Sequence, residues 1–250
     1  MPISLDRFLG GRLQLRQPVE GHRAGTDAIL LAAAAPQDLD GLALDIGAGV
    51  GAAGLALAVL RPGITIGLIE NDPATAALAR ENLALNGLAE RGHVYEADLL
   101  DFASLERAGL AAASARLVIT NPPHFDPARV RLPQSEAKRS AYAMPFSGTD
   151  PLARWIAASM ALLEEGGLFL MIHRPDALTE LLASVTSSAG ALTLLPIQAR
   201  SEAPAHRILL RAKKGSRAPL KIAPALVLHD AQGFQAQIEK VNRGEALINW

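Results

Sequence analysis

Short apolar runs alternate along this chain with stretches in which apolar residues recur every three or four positions, the pattern of strands alternating with helices. Leu42-Ala43-Leu44-Asp45-Ile46 predicts a buried strand, and glycines lead from it into a helix over Ala52 to Leu60. Ile64 to Ile69 predicts a second strand that ends in Glu70. Pro73 suits the first turn of a helix reaching Asn86, with Gly87 as its stop. Gly92 to Glu96 is a third strand followed by Asp98, and a weaker helix covers Asp101 to Ala108. Arg116 to Thr120 is the fourth strand. Thr149-Asp150-Pro151 opens a helix to Glu164, which Gly166-Gly167 ends, and Leu168 to Ile172 is the fifth strand. A helix over Pro175 to Ser187 precedes two last strands, Leu192 to Ile197 and Arg207 to Ala212.

The flanks are less regular. Leu13-Gln14-Leu15-Arg16 alternates and reads as an edge strand or hairpin arm before Pro18. Thr26 or Asp27 can cap a helix through Ala34, stopped near Pro36. After Pro219 the pattern offers one strand, Ala225 to Leu228, and a helix from Phe234 to Asn242. The expected organisation is an N-terminal extension over residues 1–40 packed on a core domain at 41–214, then a C-terminal tail at 215–250. The expected fold is α/β, Rossmann-like and doubly wound, with a mostly parallel seven-stranded sheet that finishes in an antiparallel strand pair.

Such sheets bind ligands beyond the carboxyl ends of their strands. Asp45, Glu70, Asp98 and Asn121 all stand at those ends, on consecutive strands. Between the first strand and its helix lies Gly47-Ala48-Gly49-Val50-Gly51, where glycines permit positive φ and close approach of a ligand. Gly49, Gly51 and Gly54 also fit the dinucleotide fingerprint, with Glu70 about 20 residues on, so a nicotinamide-dependent oxidoreductase has to be weighed. Asp45 tells against it: two residues before the first glycine it would hold a cationic amine and oppose a pyrophosphate. No Tyr-Lys or His-Asp arrangement supplies hydride chemistry either.

Asn121-Pro122-Pro123-His124 is the most specific motif. Proline fixes φ and lacks an N–H, so the turn is stiff and leaves carbonyl oxygens unclaimed. The Asn121 side-chain oxygen and the Pro122 carbonyl can both accept hydrogens of a planar amine, such as the exocyclic amine of adenine or the amide of glutamine. That nitrogen is a poor nucleophile while its lone pair is delocalised, and two acceptors help it pyramidalise.

The chain has 250 residues, half of them hydrophobic and 4% aromatic, and no cysteine, which excludes disulfides, thiol catalysis and thiolate zinc sites. The first residues lack a basic segment followed by an apolar one, and the longest apolar runs are too short to span a bilayer, so a cytoplasmic protein without membrane partners is expected. Net charge is −1, so no global field favours nucleic acid. Two local basic groups stand out: Arg129, Arg131, Lys138 and Arg139 after the Asn-Pro-Pro turn, and Arg211, Lys213, Lys214, Arg217 and Lys221.

Asp45 to Gly51 followed by Glu70, Asp98 and Asn121-Pro122-Pro123 resembles the class I S-adenosylmethionine-dependent methyltransferases, in the amino-methylating branch with an Asn/Asp-Pro-Pro-aromatic motif. Gly25-Thr26-Asp27-Ala28-Ile29-Leu30-Leu31 and the overall length bring the chain closest to the bacterial tRNA(Val) adenine N6-methyltransferase family. The resemblance implies that S-adenosylmethionine is the cofactor and that no metal is needed. It implies that Glu70 holds the ribose hydroxyls with Asn71 near the adenine, and that Asp98 and the Leu99 N–H hold the adenine. Gly47, Gly49 and Gly51 would pass under the methionine part, with Asp45 near its ammonium and Gly25 and Thr26 near its carboxylate. Asn121, Pro122 and Pro123 would hold the target nitrogen.

The family usually has Tyr or Phe after the prolines to stack on the base. Here His124 stands there with Phe125 next, and either ring can stack. The substrate the resemblance implies is tRNA or another RNA, its target base out of the stack, with Lys138, Arg139, Lys213 and Lys214 on phosphates. Glutamine N5 in a protein is the alternative amide substrate. Those enzymes usually carry a helical N-terminal domain, and only about forty residues precede the first strand here. Ribosomal RNA, DNA, small amines, or a non-catalytic nucleotide- or RNA-binding module with this fold complete the alternatives. The oligomeric state is left open.

Overall fold

A computed structural model describes residues 2–20, 23–123 and 150–250. The chain runs β1 (Ile3–Phe8), β2 (Leu13–Pro18), α1 (Thr26–Ala33), β3 (Gly41–Ile46), α2 (Ala52–Leu60), β4 (Ile64–Glu70), α3 (Pro73–Leu85), β5 (Gly92–Glu96), α4 (Phe102–Arg107) and β6 (Ala115–Thr120). It continues through α5 (Pro151–Leu162), β7 (Leu163–His173), α6 (Leu178–Val185), β8 (Ala189–Gln198), β9 (Ala205–Lys214), β10 (Lys221–Ile222), β11 (Leu226–Val227) and α7 (Ala236–Asn242).

The main sheet has the order β5-β4-β3-β6-β7-β9-β8, with the two short strands β10 and β11 on the outer edge of β8. β9 is antiparallel to both its neighbours, and the others run parallel. Seven long strands with an antiparallel pair at one side match the expected class, and the two short strands are additions. The sheet has two apolar faces. On one, Ala43, Leu117 and Ile119 pack with α1, α2, α3 and α7; on the other, Leu44, Val118 and Phe169 pack with α4, α5 and α6. Burial of these apolar side chains drives the fold, since strands covered on both faces need near-continuous apolar runs.

Chain order reverses between β3 and β6. β3 is followed by β4 and β5 on one side, and by β6 and β7 on the other. That is the switch point where a crevice opens. Its two walls are the glycine loop after β3 and the Asn-Pro-Pro turn after β6.

Two details depart from the sequence reading. The helix ending near Gly166-Gly167 stops earlier, at Leu162, and Glu164 to Gly167 belong to β7. A bulge explains this: Ala115 pairs with Leu163 but Leu117 with Leu168, and Gly166 takes φ +79° inside the extra length. The N-terminal arm is a full hairpin of β1 and β2, separate from the main sheet. Two asparagines one turn apart, Asn82 on α3 and Asn86 capping its C-terminal end, attach it. Asn82 Oδ1 accepts from the Arg16 N–H at 2.7 Å and Asn86 Oδ1 from the Gln14 N–H at 2.8 Å, while their amides donate to the Arg16 and Gln14 carbonyls.

The segment after Pro219 covers one edge of the sheet and packs on α1 and the hairpin. β10 and β11 cover the edge of β8, and Ile238, Val241 and Ile248 join the core formed by α1 and the hairpin leucines. The Ile248 N–H donates to the Ala33 carbonyl and Trp250 Nε1 to the Ala34 carbonyl. No described helix is long and apolar enough to cross a membrane.

Candidate active site

Parallel pairing brings Asp45, Glu70, Asp98 and Asn121 to one edge of the sheet. Thr120 clamps the switch point. Its Oγ1 donates to the Ile46 carbonyl at 2.9 Å, joining the ends of β6 and β3, and accepts from Trp155 Nε1 at 3.0 Å. Trp155 thereby lies against the glycine loop. A Cβ on Gly47 would sit 2.8 Å from its ring, and Gly47 has φ +67°, so a side chain there is opposed by both space and conformation. Gly49 differs: its φ is +57°, and nothing lies within 4 Å of where its Cβ would be. Its missing side chain leaves open room over the loop.

The loop is fastened from β4. The Ala48 N–H donates to the Ile69 carbonyl at 3.0 Å and the Gly49 N–H to Glu70 Oε2 at 2.9 Å. Glu70 Oε1 accepts from the Asp72 N–H at 2.9 Å. Each Glu70 oxygen therefore keeps acceptor capacity for a ligand. Asp45 is 2% exposed, and its Oδ2 accepts from the Gly54 N–H at 2.7 Å, satisfying a donor in the first turn of α2. Burial pushes the Asp45 carboxyl up to about 7, against the pull of the Gly54 N–H, and the nearby Glu70 charge adds to the rise. A buried acid so destabilised as an anion is a good partner for a cationic ligand group.

Two cavities open on this edge. One, of about 500 Å³, is lined by Glu70, Asn71, Asp98, Leu99, Pro122 and Pro123, with Trp155 as a wall. The other, of about 590 Å³, is lined by Gly25, Thr26, Asp45 and the glycine loop, with Arg23 at the foot of the hairpin. They share Asp27, Gly47, Gly49, Asn121 and Arg207, so Asn121 stands at their junction.

Most residues singled out in the sequence meet here, but not all. Gly51 lines neither cavity. It caps α2 with φ +91°, and a Cβ there would lie 2.9 Å from Leu68 Cδ1, so packing by itself demands a glycine there. The N-cap of α1 is Gly25, with no side-chain cap bond from Thr26 or Asp27. His124, Phe125, Lys138 and Arg139 lie outside the described residues, as do Arg129 and Arg131.

Lys213 and Lys214 are at the opposite edge of the sheet. Because β9 is antiparallel to β7, Ile208 pairs with His173 at the site edge and Lys213 with Leu168 at the far one. A rise of about 3.4 Å per residue puts Lys214 roughly 24 Å from Arg207. Lys214 Nζ donates to the Met160 and Leu163 carbonyls at 2.9 and 2.7 Å, holding the C-terminal end of α5. Neither lysine lines the two cavities.

Sequence reading missed Trp155, Asp27 as a pocket residue, and Arg207. Trp155 follows the helical period of α5 and looks like core. Asp27 is visible in the Gly25-Thr26-Asp27 segment, but its partner comes from the far end of the chain. Arg207 Nε donates to Asp27 Oδ2 at 2.8 Å across 180 residues of sequence.

A family model, the methyltransferase small domain, matches residues 23–135. A tRNA1(Val) (adenine(37)-N6)-methyltransferase of Pectobacterium carotovorum is 31% identical over 191 residues, covering 75% of this chain and 73% of that protein. The Yersinia enterocolitica enzyme of the same name is 30% identical over 208 residues, covering 80% and 79%. A solved structure of a predicted O-methyltransferase from Agrobacterium tumefaciens superposes with a TM-score of 0.74 at 30% identity, covering 89% of this chain and 98% of that one.

Proposed function

The chain belongs to the family of the tRNA1(Val) (adenine(37)-N6)-methyltransferases, S-adenosylmethionine-dependent enzymes, and on that premise we propose that it methylates the N6 amine of an adenine in tRNA. The observation that carries this reading is Asn121-Pro122-Pro123 standing beside the glycine loop at the switch point, with Asn121 at the junction of two cavities.

The residues present fit the cofactor. Carboxyl groups of Asp27, Asp45, Glu70 and Asp98 line the cavities, which suits a ligand bearing cationic centres and hydroxyls. When bound, S-adenosylmethionine supplies a methyl group on a cationic sulfonium, so the protein needs to orient and match charge rather than provide a nucleophile. Glu70 would hold the ribose hydroxyls, and Asn71, Asp98 and the Leu99 N–H the adenine. Gly47 and Gly49 would let the methionine part lie close to the backbone, and Gly25 and Thr26 would meet its carboxylate. Asp45 would face its ammonium, where a cation returns the buried carboxyl to its charged form.

At the turn, the Asn121 side-chain oxygen and the Pro122 carbonyl accept the two hydrogens of the target amine. Drawing both out of the ring plane localises the nitrogen lone pair. Proline rigidity keeps the acceptors in place, so little ordering remains at the moment of reaction. An adenine reaches this turn only when it has left its stack.

Methyl transfer from labelled S-adenosylmethionine into unmodified tRNA, followed by nucleoside analysis, tests the reading. Label in N6-methyladenosine is expected. Label in a 2′-O-methyl nucleoside would replace it with O-methylation. No label in tRNA would move the search to protein glutamine or ribosomal RNA.

A further inference from the structure

We propose that Arg207, held by Asp27, is a substrate-positioning residue that takes a phosphate of the RNA strand beside the target nucleotide; the proposal rests on the tRNA reading above. The site edge is acidic. Among the described residues, the cavity beneath Pro122 and Pro123 is lined by three acidic side chains, Asp27, Glu70 and Asp98, and a single basic one, Arg207. The neighbouring cavity adds Arg23, which is already tied to Asp6 and to the Pro18 carbonyl. Such a lining favours a cationic cofactor and repels a polyanion. Arg207 is the one cation common to both cavities, and it shares their junction with Asn121.

Its geometry suits anion capture. The Nε–H is fixed on Asp27 Oδ2 at 2.8 Å, and Nη1 donates to the His206 carbonyl at 2.9 Å. Nη2 makes no hydrogen bond among the described residues. A guanidinium has five donors in a rigid plane, so two anchored positions orient the rest toward a phosphate. Both partners are part-buried, at 27% and 30% exposure, which shields the pair from bulk solvent. The antiparallel direction of β9 brings Arg207 to this edge.

The test compares wild type, Arg207→Ala and Arg207→Lys in calorimetric binding of S-adenosylmethionine, in KM and kcat for tRNA, and in the salt dependence of tRNA affinity. Arg207→Ala is expected to raise the tRNA KM about tenfold, the loss of one charge-assisted contact. Its log-affinity against log-salt slope should shrink by about 0.9, with cofactor Kd within about twofold of wild type. Arg207→Lys should restore the slope but leave KM raised, since a point charge lacks the planar fork. It also keeps the test open if the alanine variant does not fold. Cofactor Kd weakened with an unchanged tRNA slope would overturn the proposal and assign Arg207 to the cofactor carboxylate. Unchanged values throughout would overturn it as well. Wild-type enzyme that leaves tRNA unlabelled would remove the tRNA reading and the proposal with it. That result is separable from a wild type that labels tRNA beside an Arg207→Ala variant of equal KM.

Discussion

Arg207 and Lys214 occupy opposite ends of β9, and their surroundings differ completely. Arg207 reaches the site edge, pairs with Asp27 and lines both cavities. Lys214 reaches the far edge and holds the carbonyls that end α5. By sequence Lys214 looks the better candidate for RNA, because it sits in a run of five basic residues from Arg211 to Lys221 with no acid among them, whereas Arg207 is isolated. The structure places Arg207 at the edge that carries the cavities and Lys214 at the far one. What decides a cation's role is which edge of the sheet it reaches and which groups it meets there.

The sharpest way to break this contrast is to remove the acceptor at the junction itself. Asn121→Ala should lower kcat by about 10²- to 10³-fold, the scale for losing an oriented contact to the reacting group. Cofactor Kd should stay near wild type by calorimetry. Loss of cofactor binding with unchanged turnover per bound complex would show that Asn121 serves the cofactor and not the amine.

Asp45 offers a second, thermodynamic handle on the same edge. Its carboxyl in the fold is raised from 3.8 to about 7, so between these values the native state keeps a proton that the unfolded chain has released. The stability from this group is whole below pH 4 and is lost as pH rises through 7, on the order of 4 kcal/mol in all. Cofactor-free protein should therefore melt at a lower temperature at pH 8 than at pH 5. Asp45→Asn, which keeps an oxygen for the Gly54 N–H, should flatten that difference. A wild-type melting temperature flat across this range would dismiss the raised carboxyl.

At the far edge the effects should be on stability only. Lys214→Ala removes two hydrogen bonds to helix-end carbonyls and should cost about 1–2 kcal/mol, roughly 3–6 °C in Tm, with kcat preserved in folded enzyme. Lys213 is exposed. Lys213→Ala should change neither Tm nor tRNA affinity beyond about twofold, measured by filter binding at several salt concentrations. A steep loss of tRNA affinity in that variant would erase the contrast between the two ends of β9.

The contrast also marks how far local pattern carries. The carboxyl-end residues Asp45, Glu70, Asp98 and Asn121 were legible because each stands beside an unmistakable apolar strand, and consecutive parallel strands must end on one edge. The glycine loop was legible in outline, yet nothing local shows that Gly51 stands outside both cavities and packs against Leu55 and Leu68. Trp155 was not legible at all, because nothing in α5 says that its ring faces Gly47. The hairpin's attachment through Asn82 and Asn86 was hidden for a similar reason: asparagines inside a helical period look like surface.

The amino-acid sequence by itself determined the alternation of strands and helices, the order of the parallel strands' polar ends, and the stiff acceptor turn at Asn121-Pro122-Pro123. These depend on residues close in the chain, through side-chain periodicity and the fixed geometry of proline. Only the tertiary structure decided that Arg207 meets Asp27 across 180 residues and that the last residues fold over α1. Such contacts follow from how the sheet and its layers close in space, and no local period records which distant partner a side chain will find.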